Sequence, residues 1–448
     1  MINNELDKKL GLWKMENAKL AIWLTCVRHF SLSGAVFSVF FILDRGFSVA
    51  DFAIFQTVVR LSQAALEIPS GIFADKFGRR RSVMISRVLV VAAFVLIAWG
   101  ASLPMMLVAA ILDGIAMALY SDSDTSLVYD SYKKLGRSKD YPKFIAVYNA
   151  MGMASFGVAS VIGASLAAAG VPIVWLIVSR IPLFILQYFM AKGFREKVSK
   201  AAAPKASQTL RHLKATWGQV LKHRGLVKII YFHSIILGAN LVVWAFYQPY
   251  GLAINMSLAG FGWIALLFAV AEGFPQFIAY KYVRAGGFSK MYVILILLIG
   301  LLHVGAFFLQ NMAGFVLLII STFLAGFSFP LSAAIVQRYA KTEYRTTIMS
   351  LSTLFGIGTF SVAGLVFAMA ADQWDVFAGF GVIGGGTVIG ALIYIAVRWV
   401  RPYMHKHGVW LWLQHMHESM HEPAHDAHDS ENEDEHKFAS SKFRRGRF

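Results

Sequence analysis

The chain has 448 residues, of which 57% are hydrophobic and 15% are charged. Soluble proteins carry about 25% charged residues, so this composition excludes an ordinary soluble enzyme and indicates a membrane protein. Lysine and arginine number 42 against 25 acidic residues, which gives a net charge of +17. The basic residues lie in short loops between apolar stretches, where they indicate membrane orientation rather than nucleic-acid binding. A single cysteine, Cys26, excludes an internal disulfide framework.

Twelve apolar stretches are long enough to cross a membrane, because a hydrocarbon core of about 30 Å needs roughly 20 helical residues. We therefore predict an all-α membrane protein with twelve transmembrane helices. The predicted spans are residues 20–43, 49–73, 82–101, 104–130, 142–169, 172–193, 227–250, 257–281, 288–310, 312–336, 349–371 and 376–398. The charged segment before the first span does not have the pattern of a secretion signal.

The charge of the connecting loops alternates along the chain. Every second loop is basic, and the others contain almost no lysine or arginine. The basic loops hold Arg79, Arg80 and Arg81, then Lys133 and Lys134, then Lys281 and Arg284, then Arg338 and Lys341. Because basic loops stay on the cytoplasmic side, we predict a multi-pass protein of the bacterial inner membrane with both termini in the cytoplasm.

Residues 194–226 interrupt the apolar pattern and divide the chain in two. They are rich in lysine, arginine and alanine, and Ser207–Leu226 has the spacing of an amphipathic helix at the membrane surface. Glu67–Arg79 aligns with Glu272–Arg284, with matching Glu, Ala, Lys and Arg residues. This weak repeat predicts two pseudo-symmetric six-helix bundles with a site between them. The predicted segments are 1–19, 20–193, 194–226, 227–398 and 399–448.

The loop after the second predicted span contains a recognisable motif. Gly71–Arg81, with the sequence GIFADKFGRRR, resembles the signature between helices 2 and 3 of the major facilitator superfamily (MFS). The resemblance covers residues 20–398 and implies a secondary transporter with the MFS fold. No phosphate-binding GxxxxGK[S/T] loop is present in the sequence, so we expect no ATP hydrolysis by this chain.

Three further stretches are similar to a bacterial multidrug-exporter-like branch of that family. They are Glu67–Gly71, Ser121–Asp130 and Tyr344–Ser350. Drug antiporters of the family usually carry a glycine–proline signature in helix 5, and this chain has the glycines but no Gly-Pro pair there. The departure leaves uptake open as an alternative to export.

The residues of the motif predict a gate. The carboxylate of Asp75 is placed to accept hydrogen bonds from backbone N–H groups near Thr346–Ser350, at the start of helix 11, which would close the cytoplasmic side. Glycines permit close helix approach and a tight turn, and Arg79 and Arg80 are expected to pair with Asp130. In the alternative, the arginines only set the orientation. The predicted gating residues are Gly71, Asp75, Gly78, Arg79, Arg80, Asp130 and Arg345.

Ionisable residues inside the spans are candidates for proton coupling and substrate binding, because a charge at mid-membrane is costly unless it is paired or hydrated. One level, about 12–17 Å deep at 1.5 Å per residue, holds Arg60, Asp113 and Arg180. The remaining candidates are Arg28, Glu67, Asp122 and Asp124 in the first half and Glu272 in the second. We predict that carboxylate–arginine pairs form and break during transport, with Asp113 and Glu67 as the first proton carriers. The alternative is a set of static ion pairs that fix helix packing.

Helix 7 ends in an aromatic cluster. Trp244, Tyr247 and Gln248 are predicted to line an outer vestibule and to stack against an apolar or cationic substrate, with Asn240 as a hydrogen-bonding partner. Aromatic residues at a membrane boundary are also typical of belts that face lipid, and this alternative stays open. In this division of labour the first half handles protons and the second half supplies the apolar substrate surface.

The segment after Arg401 contains eight of the thirteen histidines, interleaved with acidic residues. His417, His421 and His425 fall on one helical face and are a candidate site for a divalent metal ion such as zinc, nickel or copper. A disordered, solvated tail is the alternative. No cofactor is predicted.

The leading hypothesis is proton-coupled export of a small organic molecule by alternating access. Its partners are the substrate, protons and the lipid bilayer, with no nucleic acid, and a monomer suffices because one chain contains both halves. Proton-coupled uptake of a nutrient, siderophore or metal complex is the first alternative. A non-transporting membrane sensor or scaffold on the same fold and a lipid translocase are further alternatives, and an enzyme is not expected.

Overall fold

The computed structural model describes residues 16–121, 123–196, 206–278, 288–341 and 344–406, and within these ranges the chain is helical with no β-strand. Eleven helical segments in this part are long and apolar enough to cross a membrane. Val49–Phe77 adds another, since its 29 residues extend about 43 Å at 1.5 Å per residue. The predicted all-α membrane fold is confirmed, and each of the twelve predicted spans is helical over most of its described residues.

The described part of the first half contains six helices, two of which, α1 and α4, are interrupted. They are α1 (Glu16–His29, continued by short helical turns as far as Asp44), α2 (Val49–Phe77), α3 (Arg79–Trp99), α4 (Leu103–Tyr120 and Ser123–Lys134), α5 (Tyr141–Ala168) and α6 (Ile173–Lys192).

The second half begins after a linker helix, Ala206–Lys222, which packs on the helix Arg345–Gln373. Its helices are α7 (Arg224–Ala253), α8 (Leu258–Ile278), α9 (Phe288–Leu309), α10 (Met312–Gly326 and Ser328–Tyr339), α11 (Arg345–Gln373) and α12 (Val376–Lys406). The ring of Trp217 on the linker helix stacks on Phe355 of α11 at 5.6 Å between centroids. The predicted amphipathic helix therefore packs Trp217 against α11 of the same chain.

Local sequence explains where α2 begins and ends. The Ser48 side chain accepts a hydrogen bond from the Asp51 backbone N–H at 3.0 Å, and the Asp51 carboxylate accepts one from the Ser48 backbone N–H, also at 3.0 Å. This reciprocal capping satisfies donors at the helix start. At the other end Gly78 has φ of 100°, a conformation that residues with a Cβ rarely adopt, and the chain turns directly into α3.

The two halves pack together along pairs of helices. α2 contacts α11, α5 contacts α8, and the end of α1 contacts α7. Gly262 of α8 permits the second of these contacts, because a Cβ built there would lie 2.8 Å from the Ser160 carbonyl oxygen and 2.9 Å from the Ala164 Cβ of α5.

By its contacts the chain divides into two compact units, residues 1–391 and 392–448. The predicted halves 20–193 and 227–398, as far as Ala391, thus pack into one unit, and of the second unit the structure describes the end of α12. Several predictions lie outside the described residues. They concern Asp122, the loop with Lys281 and Arg284, and the tail with His417, His421 and His425.

Candidate functional site

Two interrupted helices of the first half meet at a common cavity. α1 loses its helical conformation at residues 30–33 and α4 at Ser121. Arg28 and Tyr120 lie next to these breaks, and both line the cavity. Interrupted backbone inside a membrane protein is tolerated where it faces protein or a cavity, and such breaks are typical of binding sites in transporters.

The cavity has a volume of about 550 Å³ and lies between the two halves. This volume is in the range of sites that enclose a small molecule. Aromatic rings come from both halves of the chain. They are Phe37, Phe52, Phe94, Tyr120, Phe156 and Phe184 from the first half and Trp244, Tyr247 and Phe360 from the second. The second half thus supplies aromatic surface as expected, and the first half supplies it as well.

Two arginines lie against one tyrosine ring in the cavity wall. The guanidinium carbon of Arg28 lies 4.2 Å and that of Arg87 4.4 Å from the Tyr120 ring centroid. Arg87 also donates to the Gln187 side-chain oxygen at 2.6 Å and to the Ser86 hydroxyl at 2.8 Å. Cation–π contact and hydrogen bonds hold these charges in place inside the protein. The sequence analysis missed Arg87, although a lone arginine in an apolar span is the signal that identified Arg60.

Arg60 and Arg180 complete a set of four arginines in the lining. Arg60 donates to the Gln63 side-chain oxygen at 3.2 Å. The Arg180 guanidinium lies 4.7 Å from the Phe94 ring centroid and 4.9 Å from that of Phe184. The Arg180 side chain makes no hydrogen bond or ion pair to any residue that the structure describes, so the N–H donors of its guanidinium are available to a ligand.

Asp113 of α4 is the carboxylate that faces these arginines. It lines the cavity together with Arg60 and Arg180, and the positive charges of all four lining arginines act on it. Its oxygens make no hydrogen bond or ion pair with any residue that the structure describes. The carboxylate can thus bind a proton or a ligand group without first breaking a contact in the protein.

The two glutamates that align in the internal repeat occupy different sites. Glu272 of α8 lines the central cavity and accepts a hydrogen bond from the Trp244 indole N–H at 2.6 Å. Asn240 approaches the same carboxylate. Glu67 of α2 lines a separate pocket of about 190 Å³ and accepts from the Ser121 hydroxyl at 2.7 Å. The repeat therefore does not produce one symmetric pair of acids in the cavity.

Asp124 is buried behind the cavity wall, where protein groups hydrogen-bond both of its carboxylate oxygens. Its side chain is 1% exposed, and one of its oxygens accepts hydrogen bonds from the hydroxyl groups of Tyr120 and Tyr148, each at 2.7 Å. Its other oxygen accepts from the Thr125 backbone N–H at 2.8 Å. Asp124 does not line the cavity, so the prediction that it contacts substrate differs from its position in the structure.

A contact between the halves closes the end of the cavity that lies near Ser38, away from the turn between α2 and α3. Gln248 of α7 accepts hydrogen bonds from the Ser38 backbone N–H at 2.8 Å and from the Ser38 hydroxyl at 2.9 Å. It also donates to the Gly34 carbonyl oxygen at 3.0 Å. Gln248 and Tyr247 are 4% and 1% exposed, which is not the exposure of a belt that faces lipid. The predicted vestibule residues Asn240, Trp244, Tyr247 and Gln248 all line the central cavity.

The predicted gate lies on the opposite side, at the turn between α2 and α3. Arg79 pairs with Asp130 at 2.9 Å and with Asp75 at 3.7 Å. The carboxylate of Glu196, which sequence reasoning missed, accepts the backbone N–H groups of Arg79 and Arg80 at 2.8 and 3.0 Å. It therefore caps the start of α3.

Other gating residues have different surroundings from those expected. The Asp75 side chain is 48% exposed, and its ion pair is with Arg79 rather than a contact with the start of α11. A Cβ built on Gly71 would meet no atom within 4 Å, so no close helix approach exists there in this conformation. The Arg80 side chain has no ion pair within the described ranges, and Arg345 donates to the Ala340 carbonyl oxygen at 3.1 Å.

No cluster of three or more histidine, cysteine, aspartate or glutamate residues suited to a metal ion exists among the described residues. His233 and His303 are buried, and their Nδ1 atoms contact the Ser328 hydroxyl at 2.8 Å and the Ile299 carbonyl oxygen at 2.7 Å. Neither histidine lines the central cavity. The ionisable lining thus consists of arginines, carboxylates, His29 and tyrosines.

A family model described as Major Facilitator Superfamily matches residues 21–356. No curated protein matches the chain in sequence. Among solved structures, the nucleoside transporter NupG is similar with a TM-score of 0.66 and 16% identity, covering 85% of this chain and 99% of that one.

Two further transporter structures have a similar fold. A bacterial homolog to the human lysosomal transporter Spinster, in an inward-facing and occupied conformation, has a TM-score of 0.63 and 14% identity over 86% of this chain and 95% of its own. A D-xylose–proton symporter has a TM-score of 0.61 and 15% identity over 84% and 95%. At these identities the likeness concerns the fold.

Proposed function

The chain belongs to the Major Facilitator Superfamily, and on that premise we propose that it carries a small organic molecule through the central cavity with protons as the coupling ion. It is a multi-pass secondary transporter and not an enzyme. The observation that carries the proposal is Asp113, a carboxylate in the cavity that faces four arginines and has no hydrogen bond or ion pair to a described residue. An ionisable group in such a position is a functional site by default.

Protonation of Asp113 changes the charge balance of the cavity. The ionised carboxylate attracts the guanidinium groups of Arg60 and Arg180, and the neutral acid does not. The two halves meet at the cavity, so this change alters which arrangement of the halves is favoured. Glu272 is the second candidate proton carrier, since it lies in the same cavity on α8.

Alternating access requires that the two ends of the cavity open in turn. In this conformation Ser38 and Gln248 join the halves at the outer end. We propose that these bonds break in the opposite conformation and that Asp75 then contacts the start of α11. On the basis of loop charge, we place the Asp75 end and both termini in the cytoplasm of a bacterial cell.

Two directions of transport are candidates. Resemblance to multidrug exporters predicts export, in which proton and substrate exchange across the membrane. The excess of arginine over carboxylate in the cavity favours uptake, because a proton on Asp113 removes a negative charge that would repel an anionic substrate. A proton gradient imposed on proteoliposomes drives substrate flux opposite to the protons in the first case and with them in the second.

Proton coupling can be tested without the substrate. In a Cys26→Ser background, Leu135→Cys and Lys341→Cys place spin labels on loops of the two halves at the predicted cytoplasmic side. We expect the distribution of distances between the two spin labels, measured by double electron–electron resonance, to differ between acidic and alkaline pH. Asp113→Asn is expected to remove this difference, whereas Asp372→Asn, an exposed control at the end of α11, is expected to retain it.

An unchanged pH response in Asp113→Asn would show that Asp113 is not the coupling group. The same measurement on Glu272→Gln then tests the second carboxylate of the cavity. A wild-type distribution that is independent of pH would contradict proton coupling itself and would favour the sensor or scaffold hypothesis.

A further inference from the structure

We infer that the central cavity binds an organic anion with an apolar or aromatic body. The inference rests on the proposed transport function and names the class of substrate that the cavity takes. Its basis is the charge of the lining: four arginines face two carboxylates among the described lining residues, an excess of two positive charges. The sequence analysis expected an apolar or cationic substrate, and the structure points to the opposite charge.

The nearby acids reduce this excess but do not cancel it. Asp124 accepts hydrogen bonds from Tyr120 and Tyr148 behind the wall, and its charge acts on Arg28 and Arg87, so four arginines stand against three carboxylates. Glu67 lines the separate pocket. Glu272 accepts the Trp244 indole N–H from the second half. Among the described residues, Asp113 is therefore the one carboxylate of the first half that lines the cavity with the arginines, and their remaining charge is available to a ligand.

The arginines are held in place for this role. Arg28 and Arg87 lie over the Tyr120 ring, and Arg180 lies against the rings of both Phe94 and Phe184. The rings orient each guanidinium and leave its N–H groups at the edge of the plane. A planar guanidinium matches the geometry of a carboxylate, phosphate or sulfonate, to which it donates two parallel hydrogen bonds. Arg180 makes no hydrogen bond to a described residue, so its donors are unused.

The rest of the lining defines the body of the ligand. Phe156 lies 5.7 Å from Trp244 between ring centroids, and these rings form the wall next to α7. Both residues line the same cavity as Arg180 and Arg60. A ligand that places its anionic group on the arginines therefore places an apolar portion against the aromatic wall.

The anion also has a consequence for coupling. Ionised Asp113 repels an anion at the arginines, and protonated Asp113 does not. Proton and substrate thus bind with positive cooperativity, and by linkage each raises the affinity for the other. Such cooperativity favours symport, which is uptake when protons enter the cell.

The test uses ligands that share one ring and differ in charge. Purified full-length protein is heated with phenyl phosphate, benzylammonium or benzyl alcohol, and Tm is recorded against concentration. We expect a saturable rise in Tm with phenyl phosphate that exceeds any effect of the cation or the alcohol. Inorganic phosphate is expected to bind more weakly because it lacks the apolar body.

Variants locate the effect in the cavity. Arg180→Gln is expected to weaken phenyl phosphate binding by roughly tenfold or more, since a hydrogen bond to a charged group contributes about 1.5–3 kcal/mol. Arg224→Gln removes the same charge from an exposed position at the start of α7 and is expected to bind as wild type does. Equal or stronger stabilisation by benzylammonium, no effect of phenyl phosphate on wild type, or an unchanged affinity in Arg180→Gln would overturn the inference.

A second measurement applies where Arg180→Gln does not fold. Collisional quenching of Trp244 fluorescence, taken as the difference between wild type and Trp244→Phe, compares iodide with caesium. A positive cavity concentrates iodide, so we expect iodide to quench Trp244 more strongly, and the reverse order would overturn the inference. Neither measurement involves a pH gradient. A pH-independent spin-label distance together with phenyl phosphate binding would therefore contradict proton coupling and leave the anion site standing.

Discussion

Gln248 and Ser38 join the two halves of the protein at one end of the central cavity. The side-chain oxygen of Gln248 accepts two hydrogen bonds from Ser38, at 2.8 and 2.9 Å, and both residues are buried. Ser38 lies in the interrupted end of α1, and Gln248 lies on α7. The contact therefore exists only while the halves are together at this end, and any opening of the cavity at this end breaks it.

Gln248→Ala is expected to destabilise the closed outer end. The variant loses the bonds to Ser38 and the bond to the Gly34 carbonyl oxygen. A buried hydrogen bond contributes about 0.5–1.5 kcal/mol, so the equilibrium is expected to shift by roughly tenfold or more toward the outward-open state. In a Cys26→Ser background, Ala245→Cys in the cavity lining then reacts faster with an impermeant thiol reagent added outside.

Gln310→Ala, in an exposed turn between α9 and α10, is the control for that measurement and is expected to leave the labelling rate unchanged. Equal rates for Gln248→Ala and the control would show that the contact with Ser38 does not hold the outer end closed.

Asp75→Asn is expected to change the conformational equilibrium with little effect on stability. In this structure its partner is Arg79, four residues along the same chain, and exposed pairs of this kind contribute about 0–1 kcal/mol. If Asp75 binds the start of α11 in the opposite conformation, the variant loses that contact only there. We expect the distance between labels at Leu135→Cys and Lys341→Cys to shift toward the longer values of the state open at the predicted cytoplasmic side.

The prediction would be contradicted if Asp75→Asn kept the wild-type distance between the two labels while its Tm fell strongly. Such a result would assign Asp75 a role in the packing of α2 rather than in a gate.

Asp124→Asn is expected to destabilise the first half. The carboxylate accepts from Tyr120 and Tyr148 on one oxygen and from the Thr125 backbone N–H on the other. An amide offers only one acceptor oxygen, so at least one buried donor loses its partner at a cost of about 1–3 kcal/mol. We expect a lower Tm for the purified protein, with Asp372→Asn unchanged as the exposed control.

The same variant separates a structural role from proton coupling. A folded Asp124→Asn protein is expected to keep the pH response of the spin-label distance, because Asp124 does not line the cavity. Loss of that response without loss of Tm would support the role that the sequence analysis assigned to Asp124.

The polar residues of the apolar spans show both the strength and the limit of sequence reasoning. Arg60, Asp113 and Arg180 were placed at one level by counting residues from the helix ends, and all three line one cavity. The same counting grouped Glu67 and Asp124 with Arg28, yet these acids face other surroundings. Counting gives depth along a helix, and the direction of a side chain depends on helix rotation and packing.

Helix breaks were the second feature that counting missed. Arg28 precedes the interruption of α1 at residues 30–33, and Tyr120 precedes the one in α4 at Ser121. Both breaks lie inside the predicted spans 20–43 and 104–130, each of which was predicted as one helix. A break of this kind is stabilised by contacts with neighbouring helices, and these are not encoded in local hydrophobicity.

The sequence by itself determined that the chain is a bundle of membrane helices, which loops are basic, and that charged residues lie within the spans. These properties depend on the summed hydrophobicity and charge of consecutive residues, and the same sums determine whether a segment enters the lipid bilayer. Only the tertiary structure decided that Arg28, Arg60, Arg87 and Arg180 line one cavity with Asp113, whereas Asp124 and Glu67 lie elsewhere. Convergence depends on how helices distant in sequence rotate and pack against one another, and that arrangement gives the cavity its positive charge.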